Sequence, residues 1–521
     1  MGTTNPPTRR DGMTMEATTD EPKWSSAALC IELRLLDQTF RPEYTHQCFP
    51  GERIRGYQPL RSVLPTDLYH TSYAQHDQAL RELAVRVTLA PSCQTCVVEV
   101  ETAAKRMLRR NSQRTPTKRH RTADQQVALN TEEGNNSDED DPSVDASVEN
   151  STEATEEETS EYEEGDDSAA VVDPNEGSTR QRRMPVADIR QQLSLALPVL
   201  TETRDLQHCA NAFLRRPLGT IVESYTRKGM EFVVTLADGR TPSVAEFHHN
   251  AQRLALFFIE NADGVDVASV EEGHWKVLYV FRKHSTTKQY SLVAYTTLFH
   301  FSSPFRKPTP GIIVRVCQVL VLPPYQRQGH GRDMLQAVYR YAHGQYKEFP
   351  SHGESQREYQ IVQVNVEDPA PAFTALRNRV DYQHVKLPEA FRAMDVTQTD
   401  FFGSLPEPQA LAIAEDAKVT VRQIHTVYEM DRWQRLQAFT ASAQDNDAPP
   451  AETARRDALE KAYRLLVKRR LNKLHREELS AFRVKTEMQD ALAKLYDEQV
   501  QGYQAILESL EASQTKERKI K

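Results

Sequence analysis

Two stretches of this chain place residues at spacings that can do chemistry. The first is Gln326-x-x-Gly329-x-Gly331, which follows an apolar run over 312–322, broken only by Arg315 and Gln318, and two prolines, Pro323 and Pro324. Met334, Leu335, Val338, Tyr339 and Ala342 come after it at helical steps. A strand, a glycine-bearing turn and a helix start leave main-chain N–H groups free at the positive end of a helix dipole, which suits a phosphate or diphosphate. A P-loop needs a lysine and a hydroxyl after its last glycine, and Arg332 and Asp333 stand there instead. A dinucleotide fingerprint needs a third glycine where Met334 sits. An ordinary strand-to-helix turn with two glycines is the plain alternative. The second stretch is Glu367-Asp368, at the end of the apolar segment 361–366 and just before Pro369. Strand neighbours point to opposite faces, so one of the pair faces a substrate; Glu367 shares parity with Gln363 and Asn365 and is the first choice for a base. Glu260 is the second. Their structural alternatives are a helix-end charge for Glu260 and a helix cap for Asp368.

Hydrophobic period gives the elements that must position these residues. Residues 27–36, 80–87 and 97–100 are expected as strands, and 189–197 as a helix ending at Pro198. Residues 221–225 and 231–236 are expected as strands, with Ala237, Asp238 and Gly239 as a hairpin turn. A helix is expected over 247–260, with Leu254, Phe257 and Phe258 on its buried side. Strands follow at 275–281, 290–298 and 312–322, then a helix from Gly329, a strand at 361–366 and a helix over 370–379. Strands followed by strand–helix–strand make the fold class α+β, or mixed α/β. From about 405 the pattern is helical, and 451–521 holds no proline and one glycine, Gly502. Met488, Leu492, Leu495, Tyr503, Ile506 and Leu510 form one apolar side of an arm expected to pack on its own core, with Lys468, Arg469 and Arg470 as a basic patch.

The turn at Gln326, Gly329 and Gly331 resembles the [Q/R]-x-x-G-x-[G/A] turn with which GCN5-related acetyltransferases cradle the pyrophosphate of coenzyme A. The wider match is more specific. Phe40-Arg41-Pro42-Glu43-Tyr44-Thr45-His46-Gln47-Cys48-Phe49 with Gly56-Tyr57, Arg253-Leu254 through Phe258-Ile259-Glu260, the run 319–331, and Val366-Glu367-Asp368-Pro369 occur in this order. These blocks resemble the type B histone acetyltransferase catalytic subunits, interrupted by one long insertion.

The resemblance implies a GCN5-related acetyltransferase core over about 246–395, a mixed N-terminal domain over 23–245 and a helical domain over 396–521. It implies acetyl-CoA as cosubstrate and direct acetyl transfer, in a ternary complex, to lysines in the N-terminal tail of free histone H4. Catalytic roles fall on Glu367, Glu260 and Asp368. Val319, Leu320 and Val321 offer main-chain groups to the acetyl-pantetheine arm, and Gln326, Arg327, Gln328, Gly329, His330, Gly331 and Arg332 surround the pyrophosphate. His330 is expected to be structural or to face the cofactor. Glu52, in a loop one residue shorter than usual and next to Arg53 where the family is more acidic, is the contact for a basic peptide; a solvated loop charge is its alternative. Phe299, His300 and Phe301 match a stretch lining the histone groove, where the family tends to have Tyr and Asn. No covalent enzyme intermediate is needed, so Cys317 and Cys209 are not expected nucleophiles. A WD-repeat histone-binding subunit is the implied partner, in nucleus and cytoplasm, with no nucleic acid required. Two rivals stay open: acetylation of another protein, and a non-catalytic histone carrier.

Composition bounds the rest. At 521 residues the chain has room for roughly three domains. Only 39% of residues are hydrophobic, and the mean hydropathy of −0.64 predicts that part of the chain stays unfolded. No apolar run approaches a membrane span, and no secretory signal is visible at residues 1–22, a polar stretch expected as a disordered leader. Six cysteines in such a chain are expected as reduced thiols. Cys93-x-x-Cys96 has no evident partner pair, so no metal is expected. The net charge is −9, yet residues 131–167 hold 17 carboxylates and no Lys or Arg; setting these aside leaves 57 acidic against 65 basic side chains. The acidity therefore belongs to one insertion, about 103–185, which is expected to be disordered. It either steers a lysine-rich tail, competes with it, or serves as a spacer. Lys105, Arg106, Lys118, Arg119 and Arg121 resemble a bipartite nuclear import signal; a solvated basic tract is the alternative.

Overall fold

The computed structural model describes residues 26–59, 81–102, 183–271, 273–346, 360–398, 400–442 and 450–520. The expected leader, the import-like basic tract and the acidic segment 131–167 lie outside the described residues. The rest is α+β, as the order of elements predicts: two sheets followed by helices.

The first sheet holds β1 (Ile31–Leu35), β2 (Gln38–Phe40), β3 (Tyr57–Pro59), β4 (Arg81–Leu89), β5 (Thr95–Thr102) and β6 (Val199–Thr201). Its order is β2-β1-β4-β5-β6, with β3 also on β4. The expected strand over 27–36 begins instead as a helical turn, α1 (Ser26–Cys30). Two alanines favour the helix, and Ala27 and Cys30, one turn apart, are both buried. Helices α2 (Val186–Leu193) and α3 (Leu206–Ala210) flank β6. Cys93 and Cys96 are fully buried, and burial pushes the Cys93 thiol up to about 12. They act as small apolar residues, Cys96 in β5 and Cys93 in the turn before it.

The second sheet runs β12-β11-β10-β9-β8-β7. Its strands are β7 (Thr220–Arg227), β8 (Met230–Asp238), β9 (His274–Lys283), β10 (Tyr290–Ser303), β11 (Gly311–Val321) and β12 (Ile361–Val366). The first five make an antiparallel meander, and β12 returns parallel to β11. The hairpin turn is not at 237–239. It is Lys228-Gly229, both with positive φ (48° and 74°), as a two-residue hairpin demands; Ala237 and Asp238 continue β8. Because β7 and β8 pair into this sheet, it crosses the division expected at residue 245.

Helix α4 (Pro242–Gln252) and a 3-10 turn (Arg253–Phe257) cover one face of this sheet. Phe247 sits edge-on to Tyr279 at 5.5 Å. The expected helix over 247–260 therefore starts earlier, at Pro242, and gives way after Gln252 to the 3-10 turn that ends at Phe257. The opposite face carries α5 (His330–Ala342) and α6 (Pro371–His384). Beyond them come α7 (Glu389–Arg392), α8 (Glu407–Ala417), α9 (Val421–Ser442), α10 (Pro450–Leu474), α11 (Arg476–Ser480) and α12 (Lys485–Ile520). Buried Tyr503, Ile506, Leu507 and Leu510 of α12 pack on Met430 of α9, so the arm does lie on its own core. Arg470 leaves the expected basic patch: it turns inward and forks onto buried Glu429 at 2.6 and 2.9 Å, because a carboxylate there would otherwise be buried unpaired. Asp381 ties α6 to its neighbours. Fully buried, it accepts from Tyr339 of α5 and from Gln423 of α9 at 2.6 Å, beside Arg377 at 3.4 Å. Burial pushes its carboxyl up, opposed by those partners.

Candidate active site

The site is built where β11 outruns its neighbour. β12 pairs with β11 only as far as Val316, and the last bond on that side runs from the Glu367 N–H to the Val316 carbonyl at 3.1 Å. On its other side β11 stays paired with β10 to Val321. Residues 319–321 therefore keep one ladder, and 317–321 present the far edge without a strand partner among the described residues. A bulge lies in the same place: the β10 register slips between Thr296 and Leu298, and the Gln318 N–H donates to Thr297 Oγ1 at 3.0 Å. The bulge switches the face of the sheet that the later β11 side chains take. Before it Arg315 sits beside Phe299; after it Leu320 is opposite Tyr295, and Val321 turns toward α5.

The glycine turn closes the far end of this edge. A short 3-10 turn (Pro323–Tyr325) leads into it. Gly329 caps α5 at φ 93°, a left-handed conformation that glycine adopts without strain. A Cβ built on Gly331 would lie 3.1 Å from Leu376 of α6, so the second glycine lets α5 and α6 approach. Two of the expected cofactor residues spend their side chains on the turn itself: Gln326 Nε2 donates to the Val321 carbonyl at 3.0 Å, and Gln328 Nε2 to the Pro324 carbonyl at 2.8 Å. What remains for a ligand is main-chain N–H groups at the helix start, with exposed Arg327 and half-buried Arg332 around them. The His330 side chain does not face outward. It is buried, its Nδ1 lies 2.6 Å from Tyr225 Oη, and burial pushes its ring down to about 4, so it is a neutral structural histidine.

The expected carboxylates stand at the other end. Glu367 is exposed at the point where β12 parts from β11, paired with Arg315 at 3.4 Å. Asp368 is exposed at φ 31° and does not cap the next helix, whose N-cap is Ala370. Cys317 lies beside Glu367; burial first, then that carboxylate, pushes its thiol up to about 12, which disfavours a nucleophilic thiolate. Glu260 is exposed in the turn after the 3-10 segment. The block after β2 packs onto this turn: the N–H groups of Glu43 and Tyr44 both donate to the Phe257 carbonyl (2.8 and 3.1 Å), and Gln47 Nε2 to the Ala262 carbonyl at 2.8 Å. Burial, then Glu260, then Glu43 raise the Tyr44 phenol, and burial raises Glu43. Tyr44 contacts His46, whose Nδ1 is 4.0 Å from Glu52. Tyr44, His46 and Glu52 thus lie on one block that is held against the Glu260 turn.

Trp275, Phe299 and Phe301 form an aromatic ladder on the Arg315 face, with successive centroids 4.7 and 6.0 Å apart and the Arg315 guanidinium 5.2 Å above Phe301. His300 is not part of this groove. Strand alternation turns it to the opposite face, where it is buried, stacks on His274 at 4.8 Å and meets Tyr341 Oη at 3.0 Å. Sequence reasoning gave no role to Arg315 or Gln318, although both broke the apolar run. Arg315 pairs with Glu367; Gln318 Nε2 donates to the Asp263 carbonyl at 2.5 Å and anchors the Glu260 turn to the bulge. Arg227, at the end of β7, was missed entirely, since nothing local marks it.

A family model described as the histone acetyl transferase HAT1 N-terminus matches residues 169–260. The histone acetyltransferase type B catalytic subunit of Cryptococcus neoformans is 30% identical over 288 residues, covering 53% of this chain and 59% of that protein. The human subunit is 26% identical over 264 residues (49% and 53%), and the mouse subunit 24% over 311 residues (57% and 67%). The chain is a relative of these type B catalytic subunits. It spans between a half and two thirds of the length of these three relatives. An aminoglycoside acetyltransferase structure from a soil metagenome, at 14% identity and a TM-score of 0.19 over 28% of this chain and 83% of its own, is too distant to argue from. Among the described residues no helix is long and apolar enough to cross a membrane.

Proposed function

We propose that the chain transfers acetyl from acetyl-CoA to lysines in the N-terminal tail of free histone H4. One observation carries this reading: the far edge of β11 at 317–321 runs from Glu367 to the glycine turn, so a base, a thioester arm and a diphosphate fit along one line. The turn's N–H groups hold the diphosphate of the cosubstrate, and the edge of Val319, Leu320 and Val321 orients the pantetheine arm. The incoming lysine has a pKa of about 10.4, so on the order of one in a thousand is neutral near pH 7. A carboxylate, Glu367 or Glu260, takes the ammonium proton. The amine attacks the thioester carbonyl, a C–N bond forms, the C–S bond breaks, and the leaving thiolate takes the nitrogen's remaining extra proton to give the amide and free thiol. No protein thiol takes part, in keeping with the raised thiol of Cys317. The carboxylates Glu43, Glu52 and Glu260 and the aromatic ladder suit a basic tail.

The type B relatives support histone as the substrate class. The WD-repeat histone-binding partner and a nuclear and cytoplasmic location remain part of this proposal. Mass spectrometry of H4 tail peptides incubated with the protein and acetyl-CoA tests it: lysine acetylation is expected. No acetylation in the presence of bound coenzyme A would leave the carrier reading in its place.

A further inference from the structure

The proposed diphosphate turn carries an electrostatic contradiction. Asp333 lies in the first turn of α5, where its carboxylate would repel the ligand that the helix start attracts. Two guanidinium groups answer it. Arg332 Nε and Nη2 both donate to Asp333 Oδ1 at 3.0 Å. Arg227 Nη2, arriving from β7, donates to Oδ2 at 2.6 Å. The three side chains together leave one positive charge beside the turn. Arg227 is also fixed in place: its guanidinium lies 5.1 Å from the Tyr225 ring centre, and the Tyr225 hydroxyl is bonded to His330 at the helix start.

Arg227 is not used up by that pair. Its Nη1 is buried and has no hydrogen-bond partner, which costs free energy unless something completes it. That nitrogen faces the turn, since a Cβ built on Gly329 would lie 3.3 Å from it. The missing Cβ therefore does two things: it permits φ 93°, and it lets the Arg227 guanidinium pack close against the glycine turn.

We infer that Arg227 is a coenzyme-binding residue that donates through Nη1 to a diphosphate oxygen across Gly329, its charge offset only in part by Asp333, which repels the same ligand. The inference rests on the reading of this turn as the coenzyme A cradle. It adds a contact from a strand about a hundred residues away, at the far side of the sheet from β12. The structural alternative is that Arg227 is a strut tying β7 to α5 and touches no ligand.

Calorimetric titration with coenzyme A separates the two, because Arg227→Gln and Asp333→Asn both break the ion pair. If Arg227 contacts the ligand, Arg227→Gln raises the Kd for coenzyme A on the order of 10- to 100-fold, and its loss for pantetheine, which lacks the diphosphate, is at least tenfold smaller. Asp333→Asn then binds coenzyme A as tightly as the parent or more tightly. If Arg227 is a strut, the two variants weaken binding alike, and the inference falls. It also falls if Arg227→Gln stays within twofold of the parent. Should Arg227→Gln fail to fold, the same comparison is read on Arg227→Lys, which keeps the charge but loses the second donor nitrogen. A parent protein that does not bind coenzyme A at all overturns the reading of the turn itself, and this contact with it.

Discussion

The two glycines of the turn are expected to respond unequally to the same substitution. Gly329 sits at φ 93°, where an L-residue costs about 1–2 kcal/mol, and its added Cβ would also press to 3.3–3.5 Å on the Arg227 guanidinium. Gly331 lies inside α5, outside the left-handed region, and its added Cβ meets only side-chain ends, Leu376 Cδ2 at 3.1 Å and Val321 Cγ2 at 3.8 Å. Alanine in a helix is favoured over glycine by up to about 1 kcal/mol, which offsets the squeeze. Gly329→Ala should therefore destabilise by about 1–2 kcal/mol, a melting shift of a few °C at roughly 2–4 °C per kcal/mol for a domain of this size. It should also weaken coenzyme A binding about tenfold or more, since tilting the amides by a fraction of an ångström costs a charge-assisted bond. Gly331→Ala should change stability by less than about 0.5 kcal/mol. Thermal denaturation and calorimetric titration read both quantities. Equal losses in the two variants, or a Gly329→Ala protein that melts and binds as the parent does, would refute the conformational argument.

Other outcomes follow from single groups. Glu367→Gln should retain coenzyme A binding while kcat for peptide acetylation drops by about 10²–10⁴; full activity would move the base role to Glu260, tested by Glu260→Gln. His248 and His300 are buried and neutral, each pushed by burial down to about 3. Their folded values lie below the unfolded value near 6.5, so the stability they confer is complete above pH 6.5 and is lost as pH falls toward 3. At about 1.4 kcal/mol per pH unit each, moving from pH 6.5 to 4.5 should cost on the order of 5 kcal/mol, visible in urea midpoints; an unchanged midpoint over that window would count against it. Asp381→Ala leaves Arg377 and Gln423 facing a buried gap and should destabilise by about 3–5 kcal/mol; a loss under about 1 kcal/mol in chemical denaturation would show that the link between α6 and α9 is not set by this carboxylate.

Local sequence determined what depends on neighbours along the chain. The strand over 361–366, the turn at Gln326, Gly329 and Gly331, and the helix after it were legible, because side-chain period and glycine placement are local constraints. Errors came where local signals conflicted: Asp238 and Gly239 looked like a turn, but Lys228-Gly229 made it. Only the tertiary structure decided which side chains meet. A bulge opposite Thr297 set the face of Gln318 and Leu320, and a one-residue slip reverses every side chain that follows. Strand alternation put His300 inside while Phe299 and Phe301 stayed on the groove. Arg227 reaches the glycine turn across a hundred residues of chain, through pairing and packing that no local pattern encodes. The sequence thus determined the parts of the site that are made of backbone, while the charges facing them were assigned by the fold, because electrostatic partners are chosen by distance in space.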